Sequence, residues 1–329
     1  MFKDKTILIT GGTGSWGKEL TKQLLERDPG KIIIYSRGEL AQVEMQRLFN
    51  GSQVEYVIGD VRDSGAVDRL FRRGLDIVFH LAALKHVPVC ENQPQEACKT
   101  NINGTSHLVN AAVRFGIEKF IDVSTDKAVA PTNLYGFTKA VGEKLTIQAN
   151  NLTKDTDFVC IRGGNVLGSN GSVVPLFIDQ IRKKNKITIT NGSMTRYFLT
   201  LAQAIHLLFQ AAVESVGGET YVMNMPSFSI SDVAAALIDH YGNAETTIEE
   251  IGIREGEKMD EELISVHEAK RSYRFNEDYY VILPDIHIDR DYRYVKNLDR
   301  FKGNSFSSAD NIKDKEFLRT LLDKGGFLQ

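Results

Sequence analysis

The stretch TILITGGTGSWGKEL, residues 6–20, decides the fold of this chain. An apolar, β-branched run, Thr6–Thr10, stops at a pair of glycines and gives way at once to an amphipathic pattern. Gly11, Gly14 and Gly17 stand in a GxxGxxG frame, with Thr13, Ser15 and Trp16 between them. Such a loop, ending a strand and opening a helix, is built to meet a pyrophosphate. Its glycines allow a sharp turn and close backbone approach, and the helix start offers free N–H groups and a positive dipole end. The context matters more than the glycines, because a lone glycine pattern is weak. Trp16 fits either a cover over a dinucleotide or a plug between helix and sheet.

The strand–helix rhythm continues outward. Strands are predicted at 31–35, 54–58, 77–81, 119–123 and 158–161, with helices at 17–26, 43–49, 67–72 and 103–115. Nearly continuous apolar strands between amphipathic helices read as a parallel sheet covered on both faces. Past residue 165 the rhythm loosens, with helices expected at 174–183, 201–216 and 230–241 and strands at 186–190, 219–223 and 247–251. The tail from Asp285 is charged and reads as partly irregular. The expected fold is therefore α/β: a Rossmann-type doubly wound parallel sheet with a smaller α/β substrate-binding lobe. Residues 1–165 form the dinucleotide-binding half, to which part of 197–226 returns, and 166–329 form mainly the lobe and tail. No Pro/Gly/Ser linker separates the two.

The second strand ends in Ser36 and Arg37, where an acidic residue would suit the ribose hydroxyls of NAD. A hydroxyl with a guanidinium suits a 2′-phosphate, so NADP is the expected cofactor unless Arg37 is a solvated surface residue. Asp60 and Val61 follow the third strand and could bracket the adenine; Asp is equally a favoured helix N-cap. HLAAL ends the fourth strand, where small residues such as Ala82 let backbone run beside a cofactor, and His80 reads as a buried strand histidine.

The chemistry is concentrated in STDKAVAPTNLYGFTK, residues 124–139. Tyr135 and Lys139, four apart at the start of a predicted helix, share one face. An ammonium beside a phenol favours the phenolate, lowering a pKa of about 10 towards neutrality. The result is a base for a sugar hydroxyl. Asp126 and Lys127 form a second acid/base pair just upstream; alone they would read as a turn cap and a solvated charge.

Composition sets the outer limits. A net charge of -3 gives no field that would draw the chain to nucleic acid or anionic lipid. No apolar run is long enough to span a bilayer, and the N-terminus runs straight into the first strand, leaving no room for a signal peptide. Three scattered cysteines, Cys90, Cys98 and Cys160, suit neither a disulfide framework nor a metal site. A reducing, cytoplasmic setting is expected.

GGTGSWG, HLAALKHVP and YGFTK together resemble the extended short-chain dehydrogenase/reductase superfamily. More narrowly, KHVPVCENQPQEACKTNINGT, GNVLGSNGSVVPLF, MTRYFLT and GIREGEKMDEELI are similar to the small soluble UDP-N-acetylglucosamine 4,6-dehydratases, which open routes to pseudaminic acid and related bacterial sugars. The resemblance runs to about residue 284. It implies a redox-neutral reaction with NADP as both hydride acceptor and donor. Tyr135 would take the C4 hydroxyl proton, Lys139 would hold the phenolate and bond the nicotinamide ribose, and Thr125 would touch the same sugar oxygen. Lys127 as base and Asp126 as acid would remove water across C5–C6, although neighbouring ionisable groups leave that order open. Many dehydratases of dTDP-glucose type carry Asp-Glu where this chain has Asp126-Lys127.

The same resemblance places UDP-N-acetylglucosamine against Lys85, His86, Thr100, Asn101, Asn165, Arg196, Arg254 and Glu257, with Lys85 also near the cofactor. Ser172 belongs to the run 168–175, which would offer N–H groups to the diphosphate. For any one arginine the alternative is a surface ion pair of little consequence. A homo-oligomer, dimer or hexamer, is expected. Two competing readings remain: a UDP-sugar epimerase of the same superfamily, in which Asp126 and Lys127 would be idle, and a non-catalytic nucleotide-binding scaffold.

Overall fold

The computed structural model describes residues 1–169 and 171–328. The strands are β1 (Thr6–Thr10), β2 (Lys31–Ser36), β3 (Val54–Ile58), β4 (Ile77–His80), β5 (Lys119–Thr125), β6 (Asp157–Gly163), β7 (Asn165–Val166), β8 (Lys186–Ile189), β9 (Thr195–Leu199), β10 (Thr220–Met223), β11 (Ser227–Ser229), β12 (Thr247–Glu250), β13 (Glu262–Ile264), β14 (Ser272–Arg274), β15 (Tyr279–Ile282), β16 (Asp299–Arg300) and β17 (Phe306–Ser307). Ten of them form the main sheet, in the order β16-β14-β15-β10-β6-β5-β4-β1-β2-β3. From β10 to β3 every pairing is parallel; β15, β14 and β16 continue it antiparallel. Ile7, Leu8 and Ile9 are fully buried on both faces of β1, which is why that strand has no polar alternation.

The helices are α1 (Ser15–Leu25), α2 (Glu39–Leu48), α3 (Ser64–Phe71), α4 (Val87–Asn92), α5 (Pro94–Cys98), α6 (Gly104–Phe115), α7 (Leu134–Gln148), α8 (Val173–Lys184), α9 (Leu201–Glu214), α10 (Ile230–Tyr241), α11 (Val266–Ala269) and α12 (Lys315–Lys324). Leu20 and Leu24 of α1 share one core with Ile205, Leu208 and Ala212 of α9. Val67 and Leu70 of α3 share the core on the other face with Leu108 and Ala112 of α6. The strand order reverses between β1 and β4, and ligands of doubly wound sheets bind beyond the carboxyl ends of the strands at such a reversal.

The chain leaves the sheet after β6. Its lobe is built from the small sheet β11-β9-β7 and the pair β12-β8. Phe177 and Ile181 of α8, Val233 and Leu237 of α10 and Leu318, Leu321 and Leu322 of α12 fill the lobe core. The charged tail is thus more ordered than its composition suggests, because α12 keeps one leucine face among its charges. The chain also returns to the main sheet more often than the sequence pattern indicates, through β10, β15, β14 and β16.

His80 closes β4 in the core, as its strand setting implies. It is 1% exposed, with Nδ1 2.7 Å from Thr10 Oγ1 and Nε2 2.9 Å from Thr105 Oγ1. Burial lowers its pKa to about 4 from 6.5, Asp122 opposing and Lys139 assisting. The folded protein therefore refuses a proton that the unfolded chain accepts. Stability is complete above the unfolded value and falls as pH drops from 6.5 towards 4, by about 3 kcal/mol for this group. Replacing His80 with Gln should flatten the slope of unfolding free energy against pH in that window; an unchanged slope in urea titrations would contradict the assignment.

Candidate active site

The loop after β1 is a cradle that only glycine can make. Gly11 has φ +66°, and a Cβ there would stand 2.8 Å from the Ala82 Cα. A Cβ on Gly17 would meet the Gly12 carbonyl oxygen at 2.0 Å. Helix α1 starts at Gly14 with no side chain capping its first turn. A bare backbone hollow at an uncapped helix start fits a dinucleotide pyrophosphate.

The cradle opens into a cavity of about 770 Å³. Gly11, Thr13, Gly14, Ser15, Trp16 and Gly17 line one end, with Ser36, Arg37, Asp60, Val61 and Ala82 beside them. Lys85, His86, Thr100, Thr125, Lys127, Tyr135, Asn165 and Ser172 line the other. Most of the residues singled out from the sequence therefore converge on one space, although Asp126, Lys139, Asn101, Arg196, Arg254 and Glu257 do not line it. Arg37 is exposed at its rim. The Asp60 carboxylate is already engaged, accepting from the Arg62 backbone N–H at 2.9 Å and Arg62 Nε at 2.8 Å. Among the described residues, Thr100 Oγ1 and Ser172 Oγ are buried without a hydrogen-bond partner. Within the run 168–175, Asn170 lies outside the described residues.

The chemistry sits where β5 ends. This strand runs to Thr125, two residues past the sequence expectation, because Ser124 and Thr125 pair with Arg162 and Gly163 of β6. A single turn then carries Asp126 and Lys127, and α7 brings Tyr135 back against it. The approach is close: a Cβ on Gly136 would stand 2.1 Å from the Lys127 carbonyl oxygen. Beside it the Thr125 hydroxyl donates to Asp126 Oδ1 at 2.8 Å.

Lys127 Nζ lies 3.1 Å from Asp126 Oδ1 and 3.1 Å from Glu261 Oε1. Glu261 is the residue sequence reading missed. It stands in DEELI, more than a hundred residues downstream, and only folding places it. Burial works against the Lys127 ammonium, but Asp126 and Glu261 outweigh it and hold the group above the usual lysine range. Burial pushes the Asp126 carboxyl above the usual carboxylate range, and Glu261 adds to that push against the pull of Lys127 and Thr125. Glu261 goes the other way: burial opposes its anion, yet Lys127 and Arg196 keep its carboxyl low.

Several expected roles look different in space. Lys139 Nζ is spent on Asp122 Oδ1 at 2.9 Å, both groups buried, and does not line the cavity. Tyr135 was expected to be acidified by Lys139. Burial raises its hydroxyl instead, and the opposing pull of Lys139, Lys127 and Thr125 does not overcome it. Asn101 points away from the cavity space, donating to the Leu84 carbonyl at 2.9 Å and accepting from the Leu84 N–H at 2.8 Å. Arg196 has no free fork for a diphosphate. Its Nη1 donates to the Thr195 and Met259 carbonyls and its Nη2 to the Lys258 carbonyl. Arg254 and Glu257 pair with each other at 3.8 Å outside the cavity lining. Their loop is pinned beside the catalytic segment, with Thr132 Oγ1 donating to the Gly256 carbonyl at 2.8 Å and Lys258 Nζ to the Val129 carbonyl at 2.7 Å.

Sheet order, glycine cradle and Tyr-x-x-x-Lys helix together define an extended short-chain dehydrogenase/reductase fold. The family described as "Polysaccharide biosynthesis protein" matches residues 7–283, and the chain belongs to it. It is 42% identical over 341 residues to a Campylobacter jejuni protein named UDP-N-acetylglucosamine 4,6-dehydratase (inverting), covering 99% of this chain and 100% of that one. A Rickettsia canadensis protein named UDP-glucose 4-epimerase is 40% identical over 302 residues, covering 90% of this chain and 87% of its own length. Among solved structures, Pen from Bacillus thuringiensis superposes with a TM-score of 0.93 at 38% identity over 100% of both chains. The dTDP-glucose 4,6-dehydratase DesIV of Streptomyces venezuelae shares the fold, with a TM-score of 0.70 at 21% identity over 77% of this chain and 86% of its own.

Close packing at Gly136 should be measurable. Gly136→Ala should lower the unfolding free energy by about 1–3 kcal/mol through overpacking. Gly51→Ala, with nothing within 4 Å of its Cβ, serves as the control and should change it little. Equal stabilities in urea would show that α7 does not need this approach.

Proposed function

We propose that the chain is a UDP-N-acetylglucosamine 4,6-dehydratase that yields a UDP-2-acetamido-2,6-dideoxy-hexos-4-ulose, with inversion at C5 as in the name of its Campylobacter relative. One observation carries this reading. Beside Tyr135 the cavity wall carries a second acid/base group, Lys127, backed by the buried carboxyl groups of Asp126 and Glu261. An epimerase acting at C4 needs one proton-transfer group. Loss of water across C5–C6 needs a base for the C5 proton and an acid for the C6 hydroxyl.

A bound nicotinamide supplies hydride acceptance at C4 and hydride return at C6. The protein supplies everything else. Tyr135, whose phenolate Lys139 and Lys127 favour against burial, takes the C4 hydroxyl proton; the buried Lys139–Asp122 pair behind it fixes the first turns of α7. Asp126, whose carboxyl burial pushes up against the pull of Lys127, gives a proton to the departing C6 oxygen. Lys127 is the group that faces the cavity beside it and takes the C5 proton. Gly11, Thr13, Gly14, Ser15, Trp16, Gly17, Val61 and Ala82 hold the dinucleotide. Ser36 and Arg37 at its rim favour NADP through a 2′-phosphate contact.

The lobe beyond residue 165 takes the UDP moiety. Asn165, Ser172 and the uncapped start of α8 face the cavity. Lys85, His86 and Thr100 lie where the hexose would reach. The setting that fits is a cytoplasmic homo-oligomer serving nonulosonic acid or surface-glycan synthesis. The chain has no helix long and apolar enough to cross a membrane among the described residues.

The test is proton NMR of UDP-N-acetylglucosamine incubated with the protein in heavy water. A new methyl resonance, loss of the C4 proton and deuterium at an inverted C5 are expected. A product that keeps its C6 oxygen, such as UDP-N-acetylgalactosamine alone, would favour the epimerase. Lys127→Ala with Asp126→Asn should abolish the methyl signal while dinucleotide binding persists.

A further inference from the structure

Lys127 presents a difficulty for the reaction just proposed. A base must hold a lone pair, yet the residue is clasped as an ammonium between two carboxylates, each 3.1 Å away. Its side chain is 20% exposed, whereas those of Asp126 and Glu261 are 1% and 4% exposed. Only Lys127 faces the cavity, and Glu261 stands behind it. Glu261 Oε2 is buried with no hydrogen-bond partner.

The mounting of Glu261 is rigid and comes from the far end of the chain. Its backbone N–H donates to Ser308 Oγ at 2.9 Å, and the Ser308 N–H donates to the Glu261 carbonyl at 2.8 Å. Ser308 is fully buried and also bonds Thr195 Oγ1 at 2.6 Å. Tail residues therefore fix the carboxylate that meets Lys127. The charged and titratable groups around Glu261 are Lys127, Arg196, Lys258, Asp126 and Tyr197.

Resting on the dehydratase reading, we propose that Glu261 is a positioning residue that holds Lys127 from behind and takes its proton, so that Lys127 meets the sugar as an amine. Asp126 cannot serve this purpose, because it must keep its own proton for the C6 oxygen. The balance closes. The Lys127 N–H bond breaks and a Glu261 O–H forms, converting an ion pair into two neutral groups. Hexose covering Lys127 removes its remaining water, which lowers the ammonium and raises the carboxyl, both favouring that transfer. The freed Lys127 lone pair takes the C5 proton. The C5–H electrons become the C5–C6 double bond, and the C6–O electrons leave with the proton from Asp126 as water. With the hydride returned to C6, a solvent proton adds to C5 from the face opposite Lys127, as inversion requires; Glu261 releases its proton to water, restoring the ion pair with Lys127, and the proton gained by Tyr135 at C4 offsets the one Asp126 gave up.

Glu261→Gln keeps the shape and the hydrogen bond but cannot accept a proton. Its dehydration kcat should fall by about a hundredfold, the scale of a proton-transfer group, with KM for UDP-N-acetylglucosamine little changed. The loss should lessen as pH rises towards the lysine range, where solvent can deprotonate Lys127. The C4 oxidation step should stay fast, so reduced nicotinamide should accumulate in single turnovers, and Glu261→Asp should restore most of the rate. A merely structural role would move KM and both half-reactions together and leave the pH profile in place, which would overturn the proposal. Wild-type rates in Glu261→Gln at every pH would do the same. Should that variant not fold, Glu261→Asp carries the test: its shorter carboxylate, set back from Lys127, should move the pH–rate profile to alkaline pH with KM little changed, and an unmoved profile would overturn the role. If the wild-type protein makes no 6-deoxy product, the dehydratase reading itself falls with it; if it does, failure in the variants removes only the role of Glu261.

Discussion

One ammonium between two buried carboxylates organises this molecule. Burying a charge is costly unless it is paired and hydrogen-bonded. Lys127 meets that requirement with an adjacent residue and a distant one, Asp126 and Glu261. Two negative groups around one positive group leave room for a single extra proton in a neutral cluster; burial raises the Asp126 carboxyl, whereas Lys127 and Arg196 hold that of Glu261 low. Acid and latent base thus stand side by side without neutralising each other.

The fold brings these pieces together from three parts of the chain. Asp126 and Lys127 form the turn that follows β5 of the dinucleotide half, whereas Glu261 enters from the lobe and is clamped by Ser308 from the tail. A second buried network ties the same regions. Arg162 of β6 makes two bonds to Glu143 of α7, at 2.8 and 2.7 Å, and a third to Glu268 at 2.8 Å, while Ser124 donates to Glu143 at 2.5 Å. Breaking either network would leave an uncompensated charge inside, so sheet half and lobe are bound by the same interactions that shape the site.

Much of this was legible in the sequence. The bounds of β1, β3 and α10 coincide with their periodic patterns, because each is long, continuous and bounded by turn residues. The glycine cradle and the cavity-lining Thr125, Lys127 and Tyr135 could be read because local spacing places them. Glu261, Asp122 and Ser308 could not, since their partners lie 134, 17 and 47 residues away along the chain. Arg196 shows the converse: a motif arginine whose donors fold inward to three backbone carbonyls. Charge content also misled in the tail, where Leu318, Leu321 and Leu322 pack into the lobe core despite their charged neighbours.

The central claim is that one sugar carbon lends a hydride to a neighbour after water departs. UDP-N-acetylglucosamine carrying deuterium at C4 tests it directly. The account requires the label in the C6 methyl group of the same product molecule, as a singly deuterated methyl by NMR and an unchanged label count by mass spectrometry. Deuterium lost to solvent, or still at C4 beside an intact C6 hydroxyl, would contradict it.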